Sequence, residues 1–487
     1  MITFLISLAA LVLGYLVYGR FVERIFVPDD RVTPAVAQAD GLDYVAMPYW
    51  KVFMIQFLNI AGTGPIFGAI MGAKFGPAAY LWIIFGCIFA GAVHDYFVGM
   101  LSMRNGGCDL PELVRRYLGG AASKVLLVFA VFLLIMLGTV FVYSPAEILH
   151  GISGSTTMWI TIIFIYYVVA TMLPIDKIIG KIYPLFSFSL LFMAVALMAV
   201  LFVKWPALPE LWDGVGNMGK AADPASFTDN IFPCLFITIA CGAISGFHAT
   251  QRPLMARCLT SERKGRSIFY GAMITEGLVA LVWATVSMWF FYDAPQPGYA
   301  QIGGTMANGL HTSAPVVVNL VCKDWLGIVG GVLAMLGVVA APITSGDTAF
   351  RSARLIIAQA LKLSQRAKKN RLYICVPLFA ASFAMLVWQM ENPDGFNTIW
   401  QYFGWANQTL SVFALWTITV YLVRERKPYV ITLVPALFMT CVCTTFFMVS
   451  KTALGLPYTV GYGVGATALV VAAVWFVVWM KKSNCKG

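Results

Sequence analysis

Charge is what this sequence has least of. Only 11% of its 487 residues are charged, and it has just four histidines. With 60% hydrophobic residues and a mean hydropathy of +0.80, that scarcity excludes a soluble globular protein, in which charged residues make up about 25%. Ordered cysteine spacing is also missing. The ten cysteines are scattered and only Cys441 and Cys443 lie close together, so neither a disulfide framework nor a metal-ligand pattern is written in the chain. No Ser/His/Asp arrangement stands at a catalytic spacing, and the "HD" pair at 94–95 reads first as a buried structural pair. No loop is long enough for a globular domain. Neither an enzyme nor a cofactor is expected.

What the chain does have is apolar runs of about 20 residues, each sufficient to cross a bilayer core. Read between charged or Pro/Gly-rich breaks, they give an all-α integral membrane protein of about thirteen spans. The first run, "MITFLISLAALVLGYLVYG", lacks a basic n-region and a small-residue cleavage site, so it reads as a first span. The net charge of +11 sits in loops. With the N-terminus outside, every Lys and Arg falls on the inner side except Lys74, Lys204, Lys220, Lys323 and Lys451. The positive-inside rule therefore accounts for the basic balance without nucleic acid. The expectation is a cell-membrane protein with an outside N-terminus and a cytoplasmic C-terminus.

The organisation expected is one span plus an inner loop over 1–48, two repeated blocks over 49–203 and 230–423, and two further spans over 429–480. Each block holds about five spans, an odd number, so the second enters from the opposite side and the repeat is inverted. Segment 301–323 is expected to form short helices over the outer mouth.

Two spans are written with turns in their middles. "NIAGTGPIFG" (59–68) crowds Gly62, Thr63, Gly64 and Pro65 into an apolar run; "CGAISGFHATQRP" (241–253) does the same with Gly242, Ser245, Gly246 and His248. Small residues in membrane helices ordinarily mean close packing. These two breaks, however, each lie in the first span of a block, and paired interrupted helices in inverted halves point to a secondary transporter's binding site. Pro65 at the first position of the following half-helix would cost no hydrogen bond, and free N–H groups there suit an anionic substrate group. Asn407 and Gln408, in "FGWANQTLSVFALW" (403–416), add amides able to meet exposed backbone or substrate.

Four acids fall within spans: Asp95, Glu147, Glu276 and Asp347. A mid-bilayer charge costs at least about 2.5–3.5 kcal/mol on insertion scales, so each should face protein or water. Asp95 and Glu147 lie near span boundaries, where snorkelling is the plain alternative. Asp347 follows Thr344 and Ser345 in "APITSGDTAFRSAR" (341–354), and hydroxyls, a carboxylate and carbonyls freed near Pro342 together suit a hard cation. A kinked helix end with hydroxyls bonded back to the backbone is the structural alternative.

The segments "IAGTGPIFG", "GCIFAGAVHDYFVGMLSMRNGG", "ACGAISGFHAT" and "FGWANQTLSVFAL", in this order, resemble the family of carbon starvation protein A. The resemblance runs from about residue 45 to about residue 425 and implies the amino acid–polyamine–cation superfamily, with the inverted-repeat fold of the sodium-coupled leucine transporter. It implies uptake of peptides, or of pyruvate by proton symport, when carbon is scarce. Many members are longer than this chain, and "PITSGDTAFRSARL" is a variant in which Thr344 and Ser345 could mimic a sodium site of the superfamily. The partners expected are a small-molecule substrate, a coupling proton or sodium ion, and the lipid bilayer. Basic residues in the core are few, so a carboxylate would rely on half-helix N-termini, hydroxyls and His248. The reading in a different class is a membrane sensor that binds the same nutrient without moving it.

Overall fold

The computed structural model describes residues 1–151, 153–172, 175–218, 229–293, 313–365, 367–392 and 395–484, and among them there is no strand. Helix follows helix because apolar backbone in lipid must satisfy its own hydrogen bonds. The first, α1 (Ile2–Phe26), buries Phe4, Leu11, Val22 and Phe26 in the core. A broken pair follows: α2 (Tyr49–Ile60) and α3 (Gly64–Gly72), bent by 42°. Then come α4 (Ala78–Arg104), α5 (Gly120–His150), α6 (Thr156–Met172) and α7 (Ile175–Lys204). The second broken pair is α8 (Ile231–Thr238) and α9 (Gly246–Ala256), followed by α10 (Glu262–Tyr292). The chain continues through α11 (Ala314–Ala360), α12 (Lys368–Glu391), α13 (Gly395–Arg424), α14 (Val430–Val449) and α15 (Tyr458–Asn484).

Among the described residues ten helices are long and apolar enough to cross a membrane, eleven counting α2–α3 as one bent span. The count of about thirteen is therefore not reproduced by length and apolarity. The difference lies in α6, only 17 residues long, and in α8–α9, whose break leaves two short pieces. Residues 301–312 lie outside the described residues. From Ala314 onward the expected mouth segment is already part of α11, which kinks at Gly327 (φ 64°).

Helices sort into two packed groups. In one, α3 and α2 lie on α10, and α9 lies on α4. In the other, α5 packs along α11 over the most extensive helix–helix contact among the described residues, with α6 and α12 beside it. Tyr167 of α6 ties this second group together, its hydroxyl lying 2.8 Å from the Phe141 carbonyl of α5 and 3.1 Å from that of Pro342 in α11.

The basic loops gather at one end. Arg104 and Arg31 converge on Glu262, Arg263 meets Asp30, and Arg257 pairs with Asp109 at 2.8 Å while donating to the Gly107 carbonyl. Asp43 sits between Arg351 and Arg354, 3.6 and 3.4 Å away. Chain segments far apart in sequence are thus clamped at the end where the charge pattern places the inner loops.

Candidate functional site

The two breaks touch. A Cβ on Gly64 would strike Sγ and Cβ of Cys241, and one on Gly68 would come within 2.8 Å of the Thr238 carbonyl. Only glycine lets α3 cross the second break this closely. The first break also faces the other helix group, since a Cβ on Gly62 would lie 3.0 Å from both Phe141 Cζ and Ser345 Oγ. Gly242 and Gly246 are packing notches: a Cβ on the first would strike Ala280 of α10, and on the second the Asn407 carbonyl and Leu410 of α13. Helix α3 begins at Gly64, which puts Pro65 at its second position. The expected first position is corrected at no cost, because the N–H there also lacks an intrahelical acceptor.

Asn407 and Gln408 hold the second break open. Asn407 Oδ1 accepts the Phe247 N–H at 2.7 Å and the Ser245 hydroxyl at 3.0 Å, capping α9 from outside the helix. Gln408 Nε2 donates to the Phe236 carbonyl of α8 at 3.0 Å. Of the two roles expected for these residues, meeting exposed backbone or substrate, both amides serve the first, on backbone groups and a hydroxyl that the break exposes.

The expected cation site divides in two. Ser345 Oγ reaches the Leu58 and Asn59 carbonyls, at 3.2 and 3.1 Å, where α2 ends. Thr344 instead bonds back to the Ala340 and Ala341 carbonyls of its own helix. Two residues beyond Ser345, Asp347 points elsewhere. Its Oδ2 accepts the Tyr183 hydroxyl at 2.8 Å, and its Oδ1 is buried with no hydrogen-bond partner. A helix turns through about 200° in two residues, so Ser345 and Asp347 cannot share one ion on the same face.

Three residues assigned separately in the sequence form one buried network. His248 Nδ1 donates to Asp95 Oδ2 at 2.9 Å, and His94 Nδ1 bonds Asp95 Oδ1 at 2.8 Å. Arg252, one turn beyond His248 on α9, pairs with the same Asp95 carboxylate. On the other side of the ring, His248 Nε2 lies 3.4 Å from Glu276 Oε2 of α10. All five side chains are fully buried. The "HD" pair is therefore more than a local pair, and Arg252, counted by sequence among loop charges, is a core cation. A π-turn at Gly86–Gly91 of α4, just before His94, and another at Arg266–Tyr270 in α10 shift the register of the helices that carry Asp95 and Glu276. Glu147 stands apart at the end of α5, its carboxylate 3.4 Å from the Ser313 hydroxyl.

Sequence reasoning missed Gln56 and Asn59. They lie three apart on α2, so they share a face, and both amides are buried without a hydrogen-bond partner. The Thr63 hydroxyl in the break is in the same condition. Their signal was visible: two amides in an apolar run one turn before the glycines. Beside the half-helices a cavity of about 330 Å³ is lined by Lys74, Asp229, Thr238, Gln401 and Lys451, among others.

The sequence matches the family "Carbon starvation protein CstA" over residues 1–145, 143–323 and 300–446. The chain belongs to the CstA family. An uncharacterized membrane protein of Haemophilus influenzae is 45% identical over 61% of this chain and 92% of its own length. "Peptide transporter CstA" of Escherichia coli is 26% identical over 90% of this chain and 79% of its own. "Pyruvate/proton symporter BtsT" of the same organism is 28% identical over 69% of this chain and 56% of its own length. Among solved structures, a substrate-bound, outward-open Na⁺-coupled sialic acid symporter aligns with a TM-score of 0.52 at 12% identity, covering 97% of this chain and 96% of that one. A manganese transporter of Eremococcus coleocola aligns with a TM-score of 0.55 at 12% identity, covering 91% and 99%. These likenesses place this CstA-family chain in a transporter fold as a multi-pass membrane protein.

Proposed function

We propose that the protein is a secondary active transporter importing a small carboxylate such as pyruvate, or short peptides, to scavenge nutrients when carbon is scarce. The relatives named as peptide transporter and pyruvate/proton symporter support transport as the activity. The observation that carries the reading is the meeting of two broken helices at Gly64 and Cys241, amid buried polar atoms with no hydrogen-bond partner on Gln56, Asn59 and Thr63. Lone polar groups in a membrane interior are expensive and mark substrate or ion pathways.

In this reading the substrate lies beside the first break, its anionic group drawn by the N-terminus of α3. Gln56, Asn59 and Thr63 supply neutral contacts. Glycines 62, 64, 242 and 246 give the close approach, and Ser245, Asn407 and Gln408 hold the backbone around it. The coupling ion, a proton or sodium, has two candidate places. Ser345 Oγ with the Leu58 and Asn59 carbonyls is an all-oxygen set suited to a hard cation. Asp347 with Tyr183 suits a proton. Residues 49–203 and 230–423 would form the inverted repeats, with an outside N-terminus, a cytoplasmic C-terminus, and access alternating as one helix group rocks on the other.

The deciding experiment is uptake into proteoliposomes of labelled pyruvate, lactate, amino acids and dipeptides, each with and without sodium at two pH values. Gradient-dependent accumulation of one class supports the proposal. Saturable binding with no flux for any of them would sink it in favour of a sensor.

A further inference from the structure

The polar network at the second break has a corner that transport of a carboxylate does not use. Cys241 Sγ, one ring nitrogen of His248 and a carboxylate oxygen of Glu276 all lie within 4.8 Å of one another, and all three residues are buried. They come from three places: the break itself, the first turn of α9, and the middle of α10. Both carboxylate oxygens of Glu276 and Nε2 of His248 are buried without a hydrogen-bond partner.

The hydrogen bonds fix what faces what. Asp95 Oδ2 also meets the Arg252 guanidinium and acts as an acceptor, so the proton of the neutral His248 ring resides on Nδ1. Nε2 then carries a lone pair, and it faces a carboxylate oxygen at 3.4 Å. With the ring neutral, two acceptors face each other across that distance, an arrangement that calls for a cation, a proton or a metal ion, between them. A carboxylate that orients a histidine through Nδ1 while Nε2 binds is the usual outer support of a metal-bound imidazole.

We propose that Cys241, His248 and Glu276 bind one divalent transition-metal ion of borderline softness, of the zinc and cobalt class. Three arguments favour a metal over a shared proton. The donor set mixes thiolate, imidazole and carboxylate, which suits such an ion and which alkaline-earth cations avoid. The 3.4 Å between Nε2 and Oε2 is close to the edge of a tetrahedron built on Zn–N and Zn–O bonds of about 2.0–2.2 Å. Charge also balances: Arg252 neutralises Asp95, and a thiolate with a carboxylate leaves two negative charges for a divalent ion to cancel in a low-dielectric interior. The polar contacts of Sγ with the Ser245 hydroxyl and Asn407 Nδ2 are long, 3.5 and 3.7 Å, so neither competes strongly with an ion. The bound ion would tie the broken span to α10, joining elements of one helix group.

The test uses the purified full chain, stripped with chelator and titrated with Co²⁺. One equivalent should produce visible bands of a four-coordinate site and a near-ultraviolet thiolate-to-cobalt band. Cys241→Ser should lose the thiolate band, whereas Cys322→Ser, at a buried thiol elsewhere, should keep it. Asp95→Asn, which weakens the support of His248 and also takes the carboxylate from Arg252 and His94, should keep the band in folded protein but bind cobalt about 10- to 100-fold more weakly. No cobalt bands in the wild type would overturn the proposal, leaving a proton between His248 and Glu276. Bands that survive Cys241→Ser unchanged in a monodisperse protein would overturn it too.

Discussion

Asn407 on α13 caps a helix to which it does not belong: its Oδ1 accepts the N–H of Phe247 at 2.7 Å. Breaking a helix inside a membrane exposes backbone groups that lipid cannot satisfy, and this amide supplies the missing acceptor. Asn407→Leu should therefore leave a buried N–H unpaired and cost about 1–3 kcal/mol. The check is the thermal melt of the purified protein, where an unchanged melting temperature would deny the cap any energetic role.

Gly64 and Cys241 set the distance between the two breaks. Gly64→Ala forces a methyl into the Cys241 side chain and should cost about 1–3 kcal/mol by overpacking. Adding Cys241→Gly makes room and should recover most of that loss, which a four-protein thermal cycle measures. The bulkier Gly64→Leu should block uptake in protein that inserts normally, and wild-type uptake would remove Gly64 from the site.

Asp347 keeps one oxygen on the Tyr183 hydroxyl and leaves the other without a hydrogen-bond partner. If it carries the coupling proton, Asp347→Asn should abolish gradient-driven accumulation while substrate exchange continues. Counterflow and concentrative uptake measured on the same vesicles separate these, and unaltered accumulation would end the coupling role.

At the end holding the basic loops, Arg257 and Asp109 are both buried and paired at 2.8 Å. Removing one partner strands the other, so Asp109→Ala should destabilise by about 3–5 kcal/mol. The double variant Asp109→Ala with Arg257→Met should lose less than Asp109→Ala alone, because no buried charge remains unpaired. Comparing their melts with the wild type tests the pair directly.

Glu147 touches the Ser313 hydroxyl and no member of the central network. Glu147→Gln should leave uptake close to wild type. A complete loss would return this carboxylate to the ion pathway.

The sequence by itself determined the membrane environment, the helical class, the gathering of basic loops at one end and the places where two spans break. Those features depend on composition and on local backbone chemistry: apolar length, the missing N–H of proline, the missing Cβ of glycine. It also marked the individual acids and His248, because a polar group in an apolar run stands out whatever it touches. Which of them touch was decided only in three dimensions. Ser345 and Asp347 are two apart in sequence yet face different helices, while Asp95, His248, Arg252 and Glu276 span three helices and share one network. Arg252 was counted as a loop charge because its position near a span end says nothing about its burial. Its carboxylate partner, more than a hundred residues away, is what makes a buried guanidinium affordable. Long-range pairing of charges leaves no periodic trace in a chain, and the tertiary structure alone decided it.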